Sequence, residues 1–145
     1  MIQTKRRLNL CTALILLILA FIWGNSLMKA EHSNAFSQWV KELLAQFLGS
    51  DTAITREGGL LRKIAHFTEF TALGICLAWR NGMLGRSPYR SFLTGAAAAV
   101  IDETIQCFVP GRGPGIKDVL IDSSGVLTGM LLLYMGHTLL KKRTT

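Results

Sequence analysis

Leu60-Leu-Arg62-Lys63-Ile-Ala-His66-Phe67-Thr-Glu69-Phe70-Thr-Ala-Leu73-Gly-Ile-Cys76-Leu-Ala-Trp79 is the stretch on which the fold turns. It is about as long as the ~20 residues needed to cross ~30 Å of hydrocarbon, yet it is not cleanly apolar. At 100° per residue, Arg62, His66, Glu69 and Leu73 share one stripe, because they are four, three and four residues apart. On hydropathy alone the stretch is a weaker span, and charges inside a span usually face the bundle interior. The rest of the chain favours the span. Half of the 145 residues are apolar, and they arrive in blocks: Leu8 to Trp23, Leu60 to Trp79, Phe92 to Val109 and Val119 to Leu140. The first and last blocks are cleanly hydrophobic, and the middle two carry charges. The expected fold is all-α: one membrane domain over residues 1–145, a polytopic bundle of four transmembrane helices at about 8–27, 60–79, 91–109 and 117–140.

Lys5, Arg6 and Arg7 before the first block also fit a signal peptide. An uncleaved anchor is the better reading, because Gly24-Asn25-Ser26-Leu-Met28-Lys-Ala has no clear small-x-small cleavage signal and the apolar run is long and bulky. With four spans the termini share a side. Lys5, Arg6, Arg7, Arg80, Arg86, Arg90, Lys141, Lys142 and Arg143 fall there without any acid, so the positive-inside rule places both termini and the middle loop in the cytoplasm. The net charge of +7 is then mostly topological. Binding to nucleic acid is disfavoured, because the basic residues flank hydrophobic spans and decorate no soluble face. All nine acids and the other seven basic residues fall on the opposite side, which sums to about −2.

Between the first two spans, Phe36, Trp39, Val40, Leu43 and Phe47 keep helical spacing, with Ser33 or Asn34 as a cap and Gly49 as a stop. This predicts an extracytoplasmic amphipathic helix at about 34–48, lying in the interface or packed on the bundle top. Asn81 to Arg90 reads as a short turn. Val109-Pro110-Gly111-Arg112-Gly113-Pro114-Gly115 reads as an irregular outer turn able to aim backbone N–H groups at the bundle. Cys11, Cys76 and Cys107 have no metal or redox spacing and read as packing residues.

Three spans place polar groups at one depth: Arg62, Lys63, His66 and Glu69 on the second, Asp102, Glu103 and Gln106 on the third, Asp118 and Asp122 on the fourth. A pocket open to the outside is expected, with Arg112 and Lys117 at its rim. Gly125 and Gly129 form a small-xxx-small pair for helix packing. Acid–base chemistry would fall to His66, oriented by Glu69. A divalent metal is a minor reading and no cofactor is expected, since there is no HExxH, no second nearby His, and Arg62 would oppose a cation. A nucleophile is weaker still, as Cys76, Ser123 and Ser124 have no obvious base.

At these residues the chain resembles the VanZ-like family of small bacterial membrane proteins. The resemblance rests on Arg62-Lys63-x-x-His66-Phe67-x-Glu69-Phe70, on Asp102-Glu103-x-x-Gln106-x-x-x-Pro110-Gly111-Arg112, and on Asp118-x-x-x-Asp122-x-x-Gly125-x-x-x-Gly129, within about Leu60 to Leu133. Many members carry Asn where this chain has Asp122. The resemblance implies a bacterial inner or plasma membrane and a link to resistance against the glycopeptide teicoplanin, and it implies no reaction.

Three functions follow as expectations. The first is binding of a membrane lipid headgroup or lipid-linked wall precursor in the outer leaflet, with Arg62, Arg112 and Lys117 holding the anion while Gln106 and the carboxylates read hydroxyls and amides. The second is a membrane enzyme using His66 and Glu69. The third is a structural or partner-binding bundle with an internal polar network. A proton-coupled transporter is disfavoured, because the cytoplasmic halves of the spans offer no polar relay.

Overall fold

The computed structural model describes residues 2–28, 38–40, 42, 60–113 and 115–143. Four long helices carry it: α1 (Ile2–Leu27), α2 (Leu60–Met83), α3 (Pro88–Cys107) and α4 (Ile116–Arg143). No strand occurs among the described residues. The helices overrun the apolar blocks into their charged flanks, because backbone hydrogen bonding continues after hydrophobicity ends. Residues 38–40 and 42 are helical, and the rest of the amphipathic helix expected over 34–48 lies outside the described residues.

Two helices are long and apolar enough to cross a membrane by length and composition, over Gln3–Leu27 and Ile116–Leu139. The charges on α2 and α3 keep those two from the same standing. The distribution of side chains is nevertheless inverted relative to a soluble domain. Asp102, Glu103, Gln106, Asp122, Ser26, Asn81 and Ser91 are buried, while Leu16, Leu17 and Phe21 of α1, Val100 and Ile101 of α3, and Leu120, Met135 and Leu139 of α4 stand exposed.

The core runs along the bundle as Ile15, Ile22, Phe70, Leu73, Leu77, Ala98, Ala99, Val126 and Met130. α2 packs most closely on α4, and glycine makes that possible. A Cβ on Gly125 would stand 2.6 Å from the Phe67 carbonyl oxygen, and one on Gly129 would run into the Thr71 carbonyl. Gly74 answers from α2 against the Val126 backbone. Gly136, in line with Gly125 and Gly129 in the sequence, has open space around it and takes no part.

Both ends of the bundle are pinned by polar bonds. At one end Asn81 Nδ2 donates to Ser91 Oγ at 2.9 Å across the α2–α3 turn, with Arg80 Nε on Thr12 Oγ1 of α1 at 3.0 Å. Pro88 opens α3, where its missing N–H costs nothing. At the other end Gly111, at φ +78°, turns the chain after α3 in a conformation glycine adopts without strain.

Candidate functional site

The polar residues gather at the end of the bundle formed by the C-terminus of α1, the start of α2, the end of α3 and the start of α4. Antiparallel order brings them together, since residues far apart in sequence then share one level. Gln106 sits at the centre. Its side-chain amide donates to Asp102 Oδ2 at 2.9 Å, Glu103 Oε1 at 3.2 Å and Ser26 Oγ at 3.4 Å. The first two lie three and four residues back on the same helix, so the network is partly dictated by the helical repeat.

The turn between α3 and α4 reaches into this network as its composition suggested. The Gly115 N–H donates to Glu103 Oε2 at 2.8 Å, so both Glu103 oxygens are engaged. Arg112 ties the turn to the end of α1, donating from Nη2 to the Asn25 carbonyl at 2.9 Å and from Nε to the Met28 carbonyl at 3.2 Å. Burial, and then the like charge of Arg62, lower the Arg112 pKa from its ordinary value, while Asp102 and Glu103 act the other way. Its Nη1 is buried and has no hydrogen-bond partner among the described residues.

The single pocket expected from the sequence is two cavities. One is a cleft among α2, α3 and α4 lined by Arg62, Lys63, His66, Glu103, Gln106, Asp118 and Asp122, with a volume of about 10 Å³. That is room for about one water molecule. The other, about 430 Å³, lies on the α1 side between Phe21, Asn25, Met28, Leu61, Arg62, Ala65, His66, Glu69 and Arg112, with Val40 also at its wall. Arg62 and His66 line both. Volume alone excludes a headgroup from the cleft and admits one to the larger pocket.

The partners of His66 and Glu69 differ from the expectation. His66 Nδ1 faces Asp102 Oδ2 at 3.7 Å, too far for a hydrogen bond, whereas Glu69 Oε1 accepts from Asn25 Nδ2 at 3.4 Å. The reason is rotational: Glu69 lies on the side of α2 turned to α1, while His66 looks toward α3. The Gln106 amide nitrogen is engaged by its own neighbours, and the residue lines the cleft. Lys63 Nζ stands 3.9 Å from Asp118 Oδ1 at the cleft mouth. Lys117 is exposed and lines neither cavity; the cations are Arg62 and Lys63 in the cleft and Arg62 and Arg112 in the larger pocket.

Asn25 and Ser26 were absent from the sequence-based set. Their signal was a polar pair closing an otherwise apolar first span, legible only once α1 is known to pack beside α2 and α3. A cluster of three donor groups also emerges: one ligand atom each from His66, Asp102 and Asp122 lie within 4.8 Å of one another.

Comparison with curated proteins and with solved structures gives no match. A family model described as VanZ/LLP1 matches residues 11–140, which takes in α1 as well as the three motif-bearing helices.

Proposed function

This chain belongs to the VanZ-like family, and from that premise we propose that it is a four-span protein of the bacterial plasma membrane whose larger pocket binds the anionic headgroup of an outer-leaflet lipid or lipid-linked wall precursor. Four spans are supported by the apolar exteriors of α2 and α3, where Ile64, Leu93, Val100 and Ile101 are exposed while Asp102 and Glu103 are buried and Arg62 and Glu69 half-buried. Both termini are then cytoplasmic by the positive-inside rule, and the polar end of the bundle faces outward.

The observation that carries the ligand class is the lining of the 430 Å³ pocket. Arg62 and Arg112 supply positive charge to its wall, Glu69, His66 and Asn25 add polar groups, and Phe21, Met28, Leu61 and Ala65 supply apolar surface. A phosphorylated headgroup with its first acyl methylenes has this pattern of charge beside hydrocarbon. Guanidinium groups hold such an anion through paired N–H donors, and Arg112 keeps Nη1 free of partners among the described residues. Sequestering or presenting a wall precursor at this site would connect the family to teicoplanin, which acts on the same envelope chemistry.

Native mass spectrometry of the protein extracted from bacterial membrane, with lipid analysis of the released ligand, tests the reading. One anionic lipid should accompany the wild-type chain and disappear from Arg62→Ala. Retention of the same lipid at the same level by Arg62→Ala refutes it.

A further inference from the structure

The small cleft poses a separate problem of charge. Asp102 is 0% and Asp122 1% exposed, and Asp102 Oδ1, Asp122 Oδ2 and His66 Nδ1 are all buried without hydrogen-bond partners among the described residues. Three such atoms on three different helices are costly in a dry bundle unless something sits between them. A direct contact does not satisfy them, since His66 Nδ1 and Asp102 Oδ2 stop 3.7 Å apart. Two ligands of a tetrahedral ion, each about 2.1 Å from the metal, stand about 3.4 Å from one another.

We propose that His66, Asp102 and Asp122 bind one divalent cation of borderline hardness, Mn²⁺ or Zn²⁺, at the α2–α3–α4 junction. Their donor atoms lie within 4.8 Å of one another, so small side-chain rotations close them on a common centre. The adjoining cleft of about 10 Å³ has space for one small occupant. One imidazole with two carboxylates is a mixed donor set, softer than the all-oxygen cages of Ca²⁺ and harder than thiolate sites. The charges agree with a dication. At and beside the cleft, Asp102, Glu103, Asp118 and Asp122 stand against Arg62 and Lys63, which leaves two negative charges when all six are ionised. Lys63 is drawn to Asp118 at the cleft mouth, away from the three donors. Gln106 holds Asp102 Oδ2 from outside the donor set, the kind of support that fixes a ligating carboxylate.

The site shares His66 with the wall of the larger pocket, but neither Asp102 nor Asp122 lines that pocket, so the two readings can be tested apart. Full-length protein in detergent, stripped with a chelator and dialysed against Mn²⁺, is expected to retain one Mn²⁺ per chain by atomic spectroscopy, and Zn²⁺ should displace it. Asp122→Asn keeps the shape of the side chain and should weaken Mn²⁺ at least tenfold, as should His66→Gln. Glu69→Gln, outside the donor set, should bind as the wild type does. As a readout that needs no variant to fold, Mn²⁺ should raise the melting temperature of the wild-type chain. No Mn²⁺ or Zn²⁺ retention by the folded wild type, or retention equal in Asp122→Asn and wild type, overturns the proposal. A chain that holds Mn²⁺ but no lipid upholds this site and refutes the headgroup reading, and the reverse result refutes this site alone.

Discussion

Replacing Gly125 with alanine adds a single methyl group and should nevertheless loosen the whole polar end of the bundle. The new Cβ would lie 2.6 Å from the Phe67 carbonyl oxygen, 3.2 Å from Phe70 Cβ and 3.3 Å from the Thr71 nitrogen, where ordinary contacts begin at 3.4 Å. Backbone atoms cannot swing aside as a side-chain tip can, so α4 must withdraw from α2 by roughly 0.8 Å at this point. Overpacking of this kind costs about 1–3 kcal/mol. Alanine's better helix propensity returns up to about 1 kcal/mol of that. Gly136→Ala isolates the propensity effect, because nothing lies within 4 Å of a Cβ there. In thermal unfolding of the full chain in detergent, Gly125→Ala should melt below wild type and Gly136→Ala at or above it. Gly125 is three residues from Asp122, and its Phe67 contact adjoins His66, so the same variant should also weaken any ligand held between those side chains. Equal melting of the two glycine variants would refute the close-approach argument.

Asn81→Ala strands the buried Ser91 hydroxyl at the opposite end and should destabilise by about 1–3 kcal/mol in the same melt, with the polar pocket unaffected. Gln106→Leu roughly preserves volume but removes the amide shared by Asp102 and Glu103; hydrogen bonds to charged groups are worth about 1.5–3 kcal/mol each, and a loss below about 0.5 kcal/mol would show that the network is not held by this residue. With a single cysteine left at exposed Cys107, a membrane-impermeant maleimide should label intact cells, whereas a chain left with buried Cys11 should stay unlabelled. Labelling of Cys107 only in inverted vesicles would reverse the orientation.

Much of the site was legible because helical spacing is a strict rule. Arg62, His66 and Glu69 had to share a broad face of α2, and Asp102 with Gln106 had to meet one turn apart on α3. Gly125 and Gly129 announced a close helix contact, and they make one with α2. The partners across helices were not legible. Glu69 turned to Asn25, and His66 turned to Asp102, because spacing fixes a residue's angle on its own helix and says nothing of which neighbour stands at that angle. The turn between α3 and α4 was a middle case: its glycines permitted an inward N–H, and the structure supplied Glu103 as its acceptor.

By itself the sequence determined that the chain is helical, apolar in blocks, polar along inward stripes and a member of its family, since each of these follows from local pattern. Only the tertiary structure decided that the polar groups enclose two spaces of unequal size. The division depends on how far apart helices stand and how each is rotated, and glycine contacts less than a methyl group wide set that distance. The stretch from Leu60 to Trp79 therefore carries one stripe that serves two cavities, with Arg62 and His66 on the wall between them.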